Sequence, residues 1–326
     1  MPMNFDRINM NIREKLYRFN YIYAPYLHHT KPIDVSIELM SSCDLSCLMC
    51  YHNDKKNLPF KQSKMETKLA LMIIDQCADL GVNSFKPNHR GEATLHSDFE
   101  LITSHAKHYA NKSTFIDRIS NSNFNFKTEN ESIFRGLANQ TKVKISIDSF
   151  NKEILEKQRK GANYERVMAN IEKFYNHPSR IKSETKIVIQ AVRTLLNKDE
   201  DIAGIAKKLW PEAEISIRDM VAGRVNKDLS EIENRERDSS GRQTCIQSHA
   251  RLVIHHDGKV APCCPSIKGD LIIGDANKET IHDIWNSKAA KDLRKSLLNK
   301  KAFANEPCKS CSSFESYRGF KPTWNS

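Results

Sequence analysis

Eight of the nine cysteines in this sequence fall into two groups. Cys43, Cys47 and Cys50 make a C-x3-C-x2-C run directly behind a β-rich stretch. Three thiolates from one short loop can hold three irons of a [4Fe-4S] cube and leave the fourth iron without a protein ligand. An iron left open in this way is a binding site. Zinc is the competing use of the loop, with His52 close enough in sequence to supply a fourth ligand, although closed zinc sites commonly draw paired ligands from two knuckles. The second group is Cys245, Cys263, Cys264, Cys308 and Cys311. Cys245 and Cys263 frame a C-x12-G-x4-C hairpin with Gly258 at its turn, and Cys308 and Cys311 form a C-x2-C knuckle. Two thiolates from each half would close either a tetrahedral zinc or a fully ligated iron-sulfur cluster, and ligand chemistry alone does not separate the two.

Cys264 directly follows Cys263, and consecutive side chains on a strand point to opposite faces, so the two do not serve one metal set. Cys264 reads as a small buried side chain, with a free thiol or a substrate-facing acid-base group as alternatives. Cys77 shares a helical register with Ile73, Ile74 and Leu80 and reads as core.

These residues need a scaffold, and the chain alternates short β-rich runs with amphipathic stretches from about residue 33 to 220. Strands are predicted over 34–39, 83–86, 114–119, 142–147, 186–192 and 214–218. Helices are predicted over 66–80, 98–110, 130–138, 151–175 and 199–209. Six strand-helix units in succession imply parallel strands with right-handed crossovers, in an open sheet or a full or partial barrel. On a barrel, the loop after the first strand lies on the carboxyl face, where active-site loops sit. An N-terminal helical segment (1–32) precedes the barrel region (33–225), and a polar linker (226–244) leads to a second, cysteine-rich domain (245–326). That domain carries the hairpin with Asp257-Gly258 at its turn and a helix around 281–298, on which Ile284 and Trp285 pack. His255 and His256 precede the turn and read as surface histidines, one on each face, with a proton-donor role as the alternative.

The 326 residues are 39% hydrophobic and 28% charged, as in an ordinary globular protein. No apolar run approaches the roughly 20 residues of a membrane span, and the charged N-terminus has no signal-like apolar stretch. A cytoplasmic location is expected, where cysteines ligate metal or do redox chemistry more often than they form disulfides. The net charge of +11 suits an anionic partner but is equally that of a solvated basic surface. No phosphate loop or dinucleotide fingerprint is present, which disfavours hydride-transfer cofactors.

The C-x3-C-x2-C run, the sequence Arg90-Gly91-Glu92 and the stretch KISIDSFNKEILEKQRKGANYERVMANIEKF together resemble the radical S-adenosylmethionine (radical SAM) superfamily. The resemblance covers residues 33–220. It implies an α/β fold with a partial (β/α)6 TIM-type barrel, and Cys43, Cys47 and Cys50 as ligands of a [4Fe-4S] cluster that binds SAM. Met49 stands where the family often places an aromatic against the adenine. Arg90 to Ala93 correspond to the family's GGEP, with Gly91 retained and Glu92 placed to receive the SAM ammonium. Ser120 to Ser122 stand where TNG is common, which makes Asn121 a SAM contact. Ser146 and Asp148 match an S-x-D motif that meets the ribose or carboxylate of SAM, and Arg159 matches an arginine common in related sequences.

The C-terminal region resembles the SPASM or shorter "twitch" extension of such enzymes. That resemblance implies one auxiliary [4Fe-4S] cluster on Cys245, Cys263, Cys308 and Cys311. The reaction implied is hydrogen abstraction by a 5′-deoxyadenosyl radical. It would lead to oxidation, isomerisation or epimerisation at an unactivated carbon of a peptide, sugar or other small molecule. A flavodoxin or ferredoxin would supply electrons. A nucleotide or nucleic acid is the alternative substrate, and a zinc-stapled nucleic-acid-binding protein the alternative of another class.

Overall fold

The computed structural model describes residues 12–110, 114–219, 244–304, 306–309 and 311. All but the last residue of the predicted linker 226–244 lies outside them. The chain opens with α1 (Ile12–Ile22), then β1 (Asp34–Ile37), α2 (Thr67–Asp79), β2 (Ser84–Lys86), α3 (Phe99–His108), β3 (Asp117–Ser122) and α4 (Glu131–Ala138). There follow β4 (Lys142–Ser146), α5 (Lys152–Gln158), α6 (Tyr164–Tyr175), α7 (Pro178–Lys182), β5 (Lys186–Arg193), α8 (Ile202–Leu209) and β6 (Glu214–Asp219). The C-terminal part adds α9 (Ile246–Ala250), β7 (Arg251–Ile254), β8 (Lys259–Ala261), β9 (Gly274–Asp275), α10 (Ile281–Asn286) and α11 (Lys288–Leu298).

The strands form one sheet in the order β6-β5-β4-β3-β2-β1-β7-β8-β9. Strands β1 to β6 are parallel to their neighbours, as the predicted partial (β/α)6 barrel requires. Strand β7 lies parallel to β1 on its other edge, with Asp34 opposite Arg251 and Ile37 opposite Ile254. The C-terminal hairpin therefore extends the barrel's own sheet, and β8 and β9 follow antiparallel.

Side-chain alternation separates two faces. Val35, Ile37, Val143, Ile145, Ile187 and Ile189 turn outward and are buried with Ile73, Ile74, Ile102, Phe134, Leu137, Ile171 and Phe174 of the surrounding helices. Their neighbours, Asp34, Ser36, Ser84, Lys86, Asp117, Lys142, Lys144, Ser146, Gln190 and Glu214, occupy the opposite parity and line the inner face. Tyr17 of α1 reaches beneath the barrel, where burial and the nearby Asp34 and Asp117 push its phenol up.

Two predicted helices are each broken in two. Residues 151–175 divide at Gly161, whose φ of +97° is open to glycine at little cost, and Asn163 caps α6 by accepting from Arg166 N. Residues 281–298 divide at Ser287, whose extended ψ of 158° ends α10 while its hydroxyl accepts from Ala290 N to start α11. In α1, Leu16 and Phe19 are 57% and 47% exposed. Tyr17 and Tyr21 do the packing instead, against Ala24, Ile33 and Ala250.

Candidate active site

The loop after β1 carries Cys43, Cys47 and Cys50 at the carboxyl end of the sheet. It is pinned by backbone bonds from Ser46 N to Lys160 O, Leu48 N to Gln158 O and Glu92 N to Ser42 O, and by the fully buried Leu45. All three thiols are unbridged, Cys47 is buried, and Cys43 and Cys50 are half-buried. Burial pushes Cys47 up to about 12, the Arg159 charge opposes it, and Cys50 adds to it. Burial raises Cys43 as well, with Glu92 and Cys47 contributing. Cys43 and Cys47, whose burial disfavours the thiolate, form with Cys50 an all-sulfur donor set whose chemistry suits a polycationic iron-sulfur core. Met49 is half-buried on the same loop.

Gly91 lies against the base of this loop. A Cβ on it would stand 2.3 Å from Ser42 O and 2.5 Å from Met40 O, so the close approach excludes a side chain. Glu92 follows, 6% exposed, and burial raises its carboxyl to about 7 despite bonds from Asn123 and Thr94. Its Oε1 accepts from Thr94 Oγ1 at 2.8 Å and its Oε2 from Asn123 N at 2.9 Å. A buried carboxylate beside three cysteines and without a cation partner among the described residues suits a cationic ligand group.

Sequence reading placed Asn121 against SAM. Asn121 is exposed, and its backbone is bracketed by Asn88, whose Oδ1 accepts from Asn121 N and whose Nδ2 donates to Asn121 O. The residue that reaches Glu92 is Asn123, and its Nδ2 also donates to Asp44 Oδ1 at 2.7 Å. Asn125 adds a bond from Nδ2 to Asp44 Oδ2 at 2.9 Å. Neither residue was singled out from sequence. The alternation Asn121-Ser122-Asn123-Phe124-Asn125 was the available signal, with Phe124 buried at a φ of +56° between the two asparagines.

Ser146 ends β4 on the inner face, half-buried, opposite Gln190. Asp148 is fully buried and already engaged, accepting from Val192 N at 2.8 Å and standing 2.7 Å from Arg159 Nε. It therefore holds Arg159. Burial opposes the Arg159 charge, but Asp148, Cys47 and Cys50 outweigh it and raise the guanidinium further, which puts this cation beside the thiols.

Arg90, which stands where the resembling family has glycine, turns away from the loop. Its Nε donates to Glu38 Oε1 at 2.5 Å, its Nη2 to Glu38 Oε2, and its Nη1 to Ile267 O at 3.1 Å. Phe60 lies 4.3 Å under the guanidinium, and His52 bonds Arg90 O at 3.1 Å. His52 thus spends its Nε2 on backbone. His256 joins through Nδ1 to Glu38 Oε2 at 3.0 Å, and His255 stacks on His89 at 5.3 Å. The expected surface positions of His255 and His256 are thus corrected: His256 is drawn in by the buried Glu38, and His255 is buried against the His89 ring. Burial, chiefly, lowers His89 to about 3 and His255 to about 4, so both are neutral near pH 7.

In the second group, Cys263 is raised by burial and by Cys245, Cys264 and Cys311, and Cys245 by burial and also by Cys311. Cys311 N bonds Cys308 O at 3.4 Å, as a C-x2-C knuckle turns. The Cys311 thiol of the knuckle thus contributes to the electrostatics of both hairpin thiols. Residues 245–312 match the family described as SPASM, an iron-sulfur cluster-binding domain. The C-terminal region is therefore similar to a SPASM domain. No curated protein sequence matches the chain.

Solved structures share the fold over most of the chain. BtrN in complex with AdoMet and 2-DOIA is 16% identical, with a TM-score of 0.56 over 86% of this chain and 92% of that one. Streptococcus suis SuiB bound to S-adenosylmethionine is 16% identical, with a TM-score of 0.62 over 87% and 72%. Native anSMEcpe with bound AdoMet is 19% identical, with a TM-score of 0.60 over 87% of each chain.

The C-terminal region is fastened to the barrel by more than β7. Ile281 N donates to Gln76 Oε1 of α2, and the buried Trp285 donates from Nε1 to His29 O at 2.8 Å. Ile284 is fully buried beside it, as expected. Cys77 is core, at 0% exposure. Cys264 is half-buried, and its Sγ accepts from Arg251 Nη1 at 2.7 Å, while Arg251 also pairs with Asp34. It thus faces the barrel's inner base, not an apolar core.

Proposed function

We propose that the chain is a radical SAM enzyme with one auxiliary iron-sulfur cluster in its SPASM domain. The observation that carries the reading is the placement of Cys43, Cys47 and Cys50 on one loop at the carboxyl end of the sheet, with the buried Glu92 near Cys43. Cys43, Cys47 and Cys50 would hold the [4Fe-4S] cluster that binds SAM, and Cys245, Cys263, Cys308 and Cys311 the auxiliary one. When bound, the first cluster supplies an electron that cleaves SAM to a 5′-deoxyadenosyl radical, which takes a hydrogen atom from substrate.

The protein's own residues bind and orient. Glu92 receives the SAM ammonium, Arg159 offers its charge to the carboxylate under the hold of Asp148, and Met49 and Ser146 flank the ligand. Asn121 faces the mouth of the barrel from β3. The outcome is oxidation, isomerisation or epimerisation at an unactivated carbon of a small molecule or peptide. A flavodoxin- or ferredoxin-type donor supplies the electron. Among the described residues no helix is long and apolar enough to cross a membrane, in keeping with a cytoplasmic enzyme. The complexes of BtrN with AdoMet and of anSMEcpe with AdoMet and a peptide support this class of chemistry.

The test is anaerobic reconstitution followed by reduction in the presence of SAM. Wild type should release 5′-deoxyadenosine and Cys47→Ala none; zinc without iron in the native protein, or full turnover by Cys47→Ala, would overturn the reading.

A further inference from the structure

The inner face of the barrel carries more positive charge than its own carboxylates neutralise. Lys86 and Arg251 share the buried Asp34 near the base, and Lys142 pairs with Glu214 at 3.1 Å. Asp117 stands between these pairs, within reach of Lys86 and Lys142. Two cations are left over. Lys144 follows Lys142 on the inner parity of β4, since Val143 and Ile145 on either side of it are fully buried outward. Arg218 occupies the same parity on β6, opposite Val192. Among the described residues, no hydrogen bond or ion pair engages the Lys144 ammonium or the Arg218 guanidinium.

The charges facing Lys144 are Arg218, Lys86, Lys142 and, opposing them, Asp117. Burial, reinforced by Arg218 and the two lysines, lowers the Lys144 ammonium to about 8. A half-buried lysine kept among cations is costly unless something anionic sits with it. On that inner parity, above the Asp34 pairs at the base, Lys144 is half-buried and Arg218 is exposed near the carboxyl end of β6. That face lines the space a substrate must enter to meet a radical generated at the mouth.

We propose that Lys144 and Arg218 bind the phosphoryl group of a phosphate-monoester substrate. The proposal rests on the enzyme reading above and narrows its substrate class. A phosphate monoester carries about −1.5 to −2 charges at pH 7, which matches two unneutralised cations, whereas a carboxylate would leave one uncompensated. The guanidinium supplies a planar fork for two phosphoryl oxygens and the ammonium a point charge for the third.

The test is calorimetric titration of the reconstituted full chain with inorganic phosphate, at fixed low ionic strength. Acetate serves as the singly charged comparator. Phosphate should bind and acetate should not. Lys144→Met and Arg218→Met should each weaken phosphate at least about tenfold, the value of a lost charge-assisted bond. Lys144→Arg, which keeps the charge, should restore most of the affinity. No phosphate binding by wild type, equal affinity in the double methionine variant, or acetate bound as tightly as phosphate would overturn the proposal. Displacement of phosphate by SAM would also overturn it, by assigning the cations to the SAM carboxylate. Substrate-free release of 5′-deoxyadenosine by the same wild-type preparation separates the two readings: cleavage without phosphate binding removes only this inference, and phosphate binding without cleavage removes only the enzyme reading.

Discussion

Asn123 ties Asp44 to the end of β3, with its Nδ2 2.7 Å from Asp44 Oδ1, while its own backbone N–H is spent on Glu92. One residue thereby fixes the cysteine loop and the buried carboxylate relative to each other. Asn123→Ala should lose about 1.5–3 kcal/mol of stability, the usual worth of a hydrogen bond to a charged group, and should release less 5′-deoxyadenosine. Asn121→Ala, at an exposed position, should change stability by no more than about 0.5 kcal/mol. Denaturant midpoints of the two variants check this; equal losses would mean that the tie is not Asn123.

Gly91→Ala should push the loop away from the sheet, because its Cβ would meet the Ser42 and Met40 carbonyls at 2.3 and 2.5 Å. Backbone has little freedom to give, so a cost of about 1–3 kcal/mol is expected. Iron bound per chain after reconstitution should fall by the share of one cluster. Full iron content in this variant would show that the close approach does not position the cysteines.

Glu38 responds to acid in a defined direction. Burial alone would raise its carboxyl, but Arg90 and His256 hold it well below its ordinary value of 4.5. A carboxyl depressed in the folded state contributes stability that is present above its unfolded value and lost as pH falls toward its folded one. The wild-type denaturant midpoint should therefore fall below about pH 4.5, and Glu38→Gln should fall less steeply there. At neutral pH the same variant should cost about 3–5 kcal/mol, since Arg90 would be left buried without its counter-charge. A parallel acid slope in Glu38→Gln would assign the acid sensitivity to other carboxylates.

Cys308→Ala should lower iron by the share of the auxiliary cluster and leave part of the SAM cleavage while impairing product formation. Unchanged iron would take Cys308 out of the ligand set.

The strands of the barrel were legible because β-branched runs alternate with amphipathic stretches over one regular period, and each predicted strand falls on an observed one. The breaks at Gly161 and Ser287 were not seen, because apolar periodicity continues across both and only the backbone at one residue changes. The joining of β7 to β1 was hidden as well. A hairpin's turn signal at Asp257-Gly258 announces β7 and β8, but nothing local says which distant edge β7 will pair with. At the site, cysteine spacing carried most of the information. Arg90 was read as a departure from a glycine motif; its partner Glu38 lies 52 residues away, a pairing that spacing cannot reveal. Asn123 was not singled out because its partners, Glu92 and Asp44, lie 31 and 79 residues away, pairings that local sequence does not reveal.

The parallel ladder between β1 and β7 has a mechanical meaning. The strand that launches the first cysteine loop and the strand that follows Cys245 are hydrogen-bonded side by side, so the first thiol set and Cys245 hang from neighbouring rungs of one sheet. With clusters held as proposed, the path between them would run through that shared ladder.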